Sequence, residues 1–135
     1  MENTIFVKMK VKPGLSALVI NPPQGYPKGE DISWLTQGRG DFVHLFVKDR
    51  ADFETLFAKA IDHVNKGGPF WLSYPKGKGK IKPNINRDSL WDLVLPKGWH
   101  PVAQVALDDT WSAIRLKPNE LDKEYFRPKN TKAGT

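Results

Sequence analysis

Residues 42–75 read FVHLFVKDRADFETLFAKAIDHVNKGGPFWLSYP, and this stretch decides the fold. Residues 42–47 (FVHLFV) are apolar throughout except for His44, as expected of a strand buried on both faces. Phe53, Leu56, Phe57, Ala60, Ile61 and Val64 then recur at the spacing of one face of a 3.6-residue helix. Asp52 and Glu54 stand in the first turn, where carboxylates suit the helix dipole, and Lys66-Gly67-Gly68 closes the helix. Residues 70–74 (FWLSY) make the next strand. Strand, helix and strand in this order imply parallel pairing through a right-handed crossover.

Upstream, residues 15–20 (LSALVI) form a second buried strand that stops at Asn21-Pro22-Pro23. Residues 21–40 are rich in Pro and Gly and read as a loop, with a brief strand or turn at 32–35. Arg39-Gly40-Asp41 is a turn feeding the strand at 42 rather than an adhesion tripeptide. Residues 5–11 alternate, with Ile5, Val7, Met9 and Val11 on one side, which predicts a half-buried strand ended by Pro13-Gly14. Downstream, a second helix spans about 87–95, with Asn86 as N-cap and Leu90, Leu93 and Val94 facing the core; Pro96 and Gly98 end it. Residues 102–107 and 111–116 make an antiparallel hairpin through Asp108-Asp109-Thr110. The expected fold is α/β: one small layered domain over 1–118 with two main helices and a polar tail over 119–135. Its mostly parallel sheet has five or six strands and ends in the antiparallel hairpin.

The composition bounds the chemistry. The chain has 135 residues, 39% hydrophobic and 27% charged, which excludes wholesale disorder. It has no cysteine, so disulfides, thiol nucleophiles and Cys-based zinc sites are excluded. No apolar run reaches the ~18–20 residues of a membrane span, and residues 1–15 show no leader pattern, so a cytoplasmic protein with no membrane partner is expected. The net charge of +6 has one source. Between Asp62 and Asp88 there is no acid, while Lys66, Lys76, Lys78, Lys80, Lys82 and Arg87 fall in that window. Such a field attracts phosphates, acidic proteins or nucleic acid. The alternative is a solvated lysine loop that aids solubility.

In open α/β sheets ligands bind beyond the carboxyl ends of the strands. Asn21-Pro22-Pro23-Gln24, Lys48-Asp49-Arg50 and residues 75–82 follow three strands, so parallel pairing would gather them on one rim. The glycines and lysines of 76–80 suit an anion, yet GxxxxGK[ST] and GxGxxG are both absent. His44 reads as a hydrogen-bonded core histidine, His63 as exposed and His100 as part of a connector; they share no metal-ligand spacing. Asp108-Asp109 reads as a turn, and no GxSxG elbow appears. Trp71 and Trp91 belong to packing, and Arg115 shares a strand face with Trp111, on which it could stack.

The expected ligand is therefore an anionic, phosphate-bearing small molecule or an acidic partner, taken by a non-catalytic domain through Asn21, Lys76, Lys78, Lys80, Arg87 and Arg115. Nucleic acid is a weaker alternative, because the aromatics lie in buried elements. No cofactor and no metal are expected. Two other functions stay open. One is an enzyme acting on a phosphorylated or nucleotide-like substrate with Asp49, His44 or His100 as its titratable group; the other is an interaction module without a small ligand.

Five pieces in order carry a resemblance: Val11-Lys12-Pro13-Gly14, the run ending in Asn21-Pro22-Pro23, residues 41–47, residues 68–76 (GPFWLSYPK) and residues 105–115 (VALDDTWSAIR). Over roughly residues 8–117 the chain resembles the bacterial family catalogued as domain of unknown function 3052. Trp71-x-x-x-Pro75-Lys76 and Trp111-Ser112-x-x-Arg115 are the most specific parts. The resemblance implies continuity of fold and no particular activity. The order strand, helix, strand, helix, hairpin is also similar to the second half of class I methyltransferase folds. Their glycine-rich cofactor loop is missing here, so methyl transfer is not expected.

Overall fold

A computed structural model describes residues 4–12, 14–27, 32–65, 68–76 and 84–120. The chain runs α1 (Thr4–Lys8), β1 (Ser16–Ile20), β2 (Ser33–Trp34), β3 (Phe42–Phe46), α2 (Arg50–Ile61), β4 (Phe70–Pro75), α3 (Arg87–Val94), a 3-10 turn (Leu95–Lys97), β5 (Trp99–Ala106) and β6 (Trp111–Pro118). The six strands form one sheet in the order β2-β1-β3-β4-β6-β5. From β2 to β4 all pairing is parallel, and β6 and β5 join antiparallel. This is the mixed α/β sheet expected, with the hairpin as its edge.

Alternation divides the core into two faces. Leu18, Val43, Leu45, Phe70, Leu72 and Ile114 point to one, where α2 and α3 bring Phe53, Phe57, Ala60, Leu90 and Val94. Phe53 and Phe57 stack at 4.7 Å and are buried, each worth about 2–3 kcal/mol by transfer from water. Asp49 caps α2 by accepting from Asp52 N at 2.8 Å. Asn86 caps α3 in a reciprocal box with Ser89, as its place before the helix predicts. Ala17, Phe42, Phe46, Trp71 and Ala113 point to the other face, covered by α1 and by Tyr26 and Trp34.

Three local expectations change. Residues 5–11 are not a strand: Met9 N donates to Ile5 O at 3.0 Å and Val11 N to Phe6 O at 2.9 Å. Ile5, Phe6 and Met9 are buried while Val7 is 77% exposed. Ile5 and Met9 stand four apart, so the period-two pattern is also a helical one, and Phe6 decides between them. The apolar stripe expected to run from Phe53 to Val64 also leaves the helix early. Val64 is buried as expected, but α2 stops at Ile61 and Val64 forms a parallel bridge with Gly40. Gly40 N donates to His63 O at 2.8 Å, and a Cβ at Gly40 would lie 2.8 Å from Leu18 Cδ1. This pinned turn holds His63 half-buried, with Nδ1 2.6 Å from Gly38 O, rather than exposed. Past β6, Asn119 donates its N–H to Gly98 O at 2.8 Å, and the docked turn expected at 121–126 lies outside the described residues.

Candidate functional site

Because β1, β3 and β4 are parallel, their carboxyl ends at Ile20, Phe46 and Pro75 share one rim. Neighbouring strands stand ~4.8 Å apart, so the outer exits are roughly 10 Å from each other. β1 leads outward to β2 on one side, and β3 leads through α2 to β4 on the other. The crevice between β1 and β3 is thus the switch point of the sheet, where such folds take ligands.

Asn21 leaves β1 with φ +60, a left-handed conformation that asparagine tolerates better than most residues. Its Nδ2 donates to Phe46 O at 3.0 Å and to Asp52 Oδ2 at 3.3 Å, which spans the crevice. Asp52 also accepts from Lys48 N at 3.0 Å, and Lys48 Nζ lies 3.8 Å from the same oxygen. Arg50 N donates to Asn84 Oδ1 at 2.7 Å, and Lys76 N to Thr110 O at 2.8 Å, so the turn of the β5–β6 hairpin closes the far side of the rim. In that turn Asp108 Oδ1 accepts from Thr110 N and Trp111 N, as a turn residue does.

The residues singled out in the sequence do not all meet here. Asn21 and Lys76 are exposed on the rim, as expected. Lys78 and Lys80 lie outside the described residues. Arg87 starts α3 beside the end of β4, where its charge acts on Tyr74, and its Nη1 lies 3.4 Å from Gln104 Oε1. Arg115 is at the other end. β6 is antiparallel, so Trp111 faces Pro75 at the rim while Arg115 faces Trp71, four residues or ~13 Å back. Trp111 packs on Phe46 at 5.0 Å instead of carrying the guanidinium.

Of the three titratable candidates, Asp49 is on the rim but caps α2. His100 lies in β5, with Nδ1 2.8 Å from Asn119 Oδ1. His44 is fully buried, its Nε2 2.6 Å from Ser73 Oγ and its Nδ1 2.9 Å from the Tyr26 hydroxyl. Burial lowers the His44 pKa to about 3 and pushes the Tyr26 hydroxyl far above its ordinary range. His44 is therefore the neutral core histidine its apolar strand predicts. The site residue missed in the sequence is Asp52. Its place in the first turn after β3 reads as helix electrostatics, and only the strand order brings it against Asn21. Among the described residues no group of His, Asp and Glu is placed to hold a metal, and no helix is long and apolar enough to cross a membrane.

No protein-family model and no curated protein matches the chain. Solved structures do. The glycopeptide N-methyltransferase MtfA is similar at TM-score 0.57 and 11% identity, over 84% of this chain and 87% of that one. The ribosomal protein L11 methylase of Lactobacillus delbrueckii subsp. bulgaricus is similar at 0.56 and 10%, over 86% and 77%. The N-methyltransferase NodS of Bradyrhizobium japonicum WM9 is similar at 0.54 and 12%, over 87% and 94%. The sheet is a methyltransferase-like Rossmann sheet. At such identities the likeness speaks for fold, and it extends well beyond the second half that the sequence resembles. It overturns the expectation of a non-catalytic domain that takes an anion on a Lys-Gly loop, because the architecture recurs in one methyl-transfer enzyme after another.

Proposed function

We propose that this chain is a methyltransferase-like enzyme domain that takes S-adenosylmethionine at the crevice between β1 and β3. One observation carries the reading: a methyltransferase-like sheet whose switch-point crevice is walled by a mixed set of charges. The turn that leaves β1 is not built for a pyrophosphate, because Pro22 and Pro23 have no backbone N–H to offer it. A zwitterion fits. Lys48 can hold a carboxylate, and Asp49 and Asp52 can hold an ammonium or the positive field of a sulfonium. β2 ends at Trp34 and is followed by Leu35 and Thr36, so the carboxylate that grips ribose hydroxyls in dinucleotide-binding sheets has no counterpart there. The amino-acid end of the donor therefore supplies the main hold.

When bound, S-adenosylmethionine supplies an electrophilic methyl group on sulfur. The chain's part is to orient it. Asp52 accepts two hydrogen bonds and pairs with Lys48 Nζ, so its carboxylate is preorganised, and Asn21 ties that carboxylate to the end of β3. The exposed Lys76 on the same rim favours a substrate with negative charge. A cytoplasmic setting and membership of the family catalogued as domain of unknown function 3052 belong to the same proposal; the cysteine-free composition supports the first and the quoted motifs the second.

Calorimetry with S-adenosylmethionine, S-adenosylhomocysteine, methionine and adenosine tests the reading. The first two are expected to bind, methionine weakly and adenosine not at all. Asp52→Asn and Lys48→Ala are each expected to weaken binding about tenfold, the size of one charge-assisted contact. No heat with S-adenosylmethionine at about 1 mM, the weak end of specific affinities, sinks the proposal.

A further inference from the structure

At the end of the sheet away from the rim lies a cavity of about 440 Å³. Small-molecule sites typically measure ~300–1,000 Å³. Ile61, Val64 and Trp99 give it an apolar wall, Arg39, Arg115 and Lys117 give it charge, and none of its lining residues is acidic. Arg39 is anchored, since its Nη1 donates to Val64 O at 2.7 Å. Arg115 is half-buried and stands among the lining residues with Arg39. Three cations around an apolar wall, with no carboxylate among them, are complementary to one kind of molecule.

We infer that this cavity binds a small aromatic carboxylate. The ring lies against Trp99 and the aliphatic side chains of Ile61 and Val64, and the carboxylate sits between Arg39 and Arg115. The planar fork of a guanidinium matches a carboxylate in two parallel hydrogen bonds, which a lysine cannot do. The antiparallel course of β6 that takes Arg115 away from the rim is what delivers it here. This second site stands independently of the methyl-donor reading, because it uses none of the rim residues.

The test is a titration of the full chain with 2-naphthoate, followed by calorimetry and by tryptophan fluorescence, against 2-naphthylmethanol and 2-naphthyl phosphate. Naphthoate is expected to bind saturably, about tenfold or more tighter than the alcohol. Arg115→Met keeps the stem and removes the charge, and is expected to weaken naphthoate about tenfold while leaving the alcohol unchanged. Should that variant not fold, Arg39→Met carries the same test, with a smaller loss in the same direction. Equal binding of acid and alcohol, no effect of either folded variant, absence of binding, or tighter binding of the phosphate would each overturn the assignment.

Discussion

The two faces of the sheet are built in different ways. One face is closed by α2 and α3, whose apolar stripes present Phe53, Phe57, Leu90 and Val94. The other is closed by a five-residue helix and loop aromatics, with Tyr26 touching Phe6, Trp34, His44 and Phe46 in edge contacts of 5.5–6.0 Å. The first face is aliphatic and phenyl packing on regular elements. The second holds a polar thread, Tyr26 to His44 to Ser73, inside an aromatic shell. Regular helices bury area through periodicity; irregular cover buries it through large rings, and a buried histidine needs both its nitrogens occupied.

This contrast can be broken at four points, from the largest effect to the smallest. Phe57→Ala removes a buried ring from the helical face and is expected to cost about 3–5 kcal/mol in urea unfolding. The aromatic face is expected to fail with acid. His44 titrates at about 3 when folded and near 6.5 when unfolded, so between these values the unfolded chain takes up a proton that the folded one refuses. The stability due to neutral His44 is therefore whole above pH 6.5 and drains as pH falls toward 3, at up to about 1.4 kcal/mol per pH unit. His44→Gln is expected to flatten that slope in thermal melts across this range. Asn86→Ala unties the cap of α3 and is expected to cost about 1 kcal/mol. Glu54→Gln breaks the exposed pair with Arg50 and is expected to change stability by less than about 0.5 kcal/mol.

The same contrast explains what the sequence discloses. The helical face is legible because continuous apolar runs flank a 3.6-residue stripe over 42–75, and caps such as Asn86 mark where a helix starts. The aromatic face is not. α1 is too short for its period to separate from a strand's, and Tyr26 sits in a Pro- and Gly-rich loop with no pattern linking it to His44 eighteen residues on. The rim is half legible. Parallel order, read from the helix between β3 and β4, gathers Asn21 and Lys76 correctly. The pairing of Asp52 with Asn21 and the removal of Arg115 to the far end depend on register and on the direction of β6, which no local spacing encodes.

Both faces end on the rim, and the rim holds the central claim. Amide chemical-shift mapping with S-adenosylhomocysteine addresses it most directly. Shifts gathered at Asn21 and at Lys48 through Asp52, and lost in Asp52→Asn, are the expected result. A spectrum unchanged by saturating ligand, or shifts confined to residues away from the ends of β1 and β3, would contradict it.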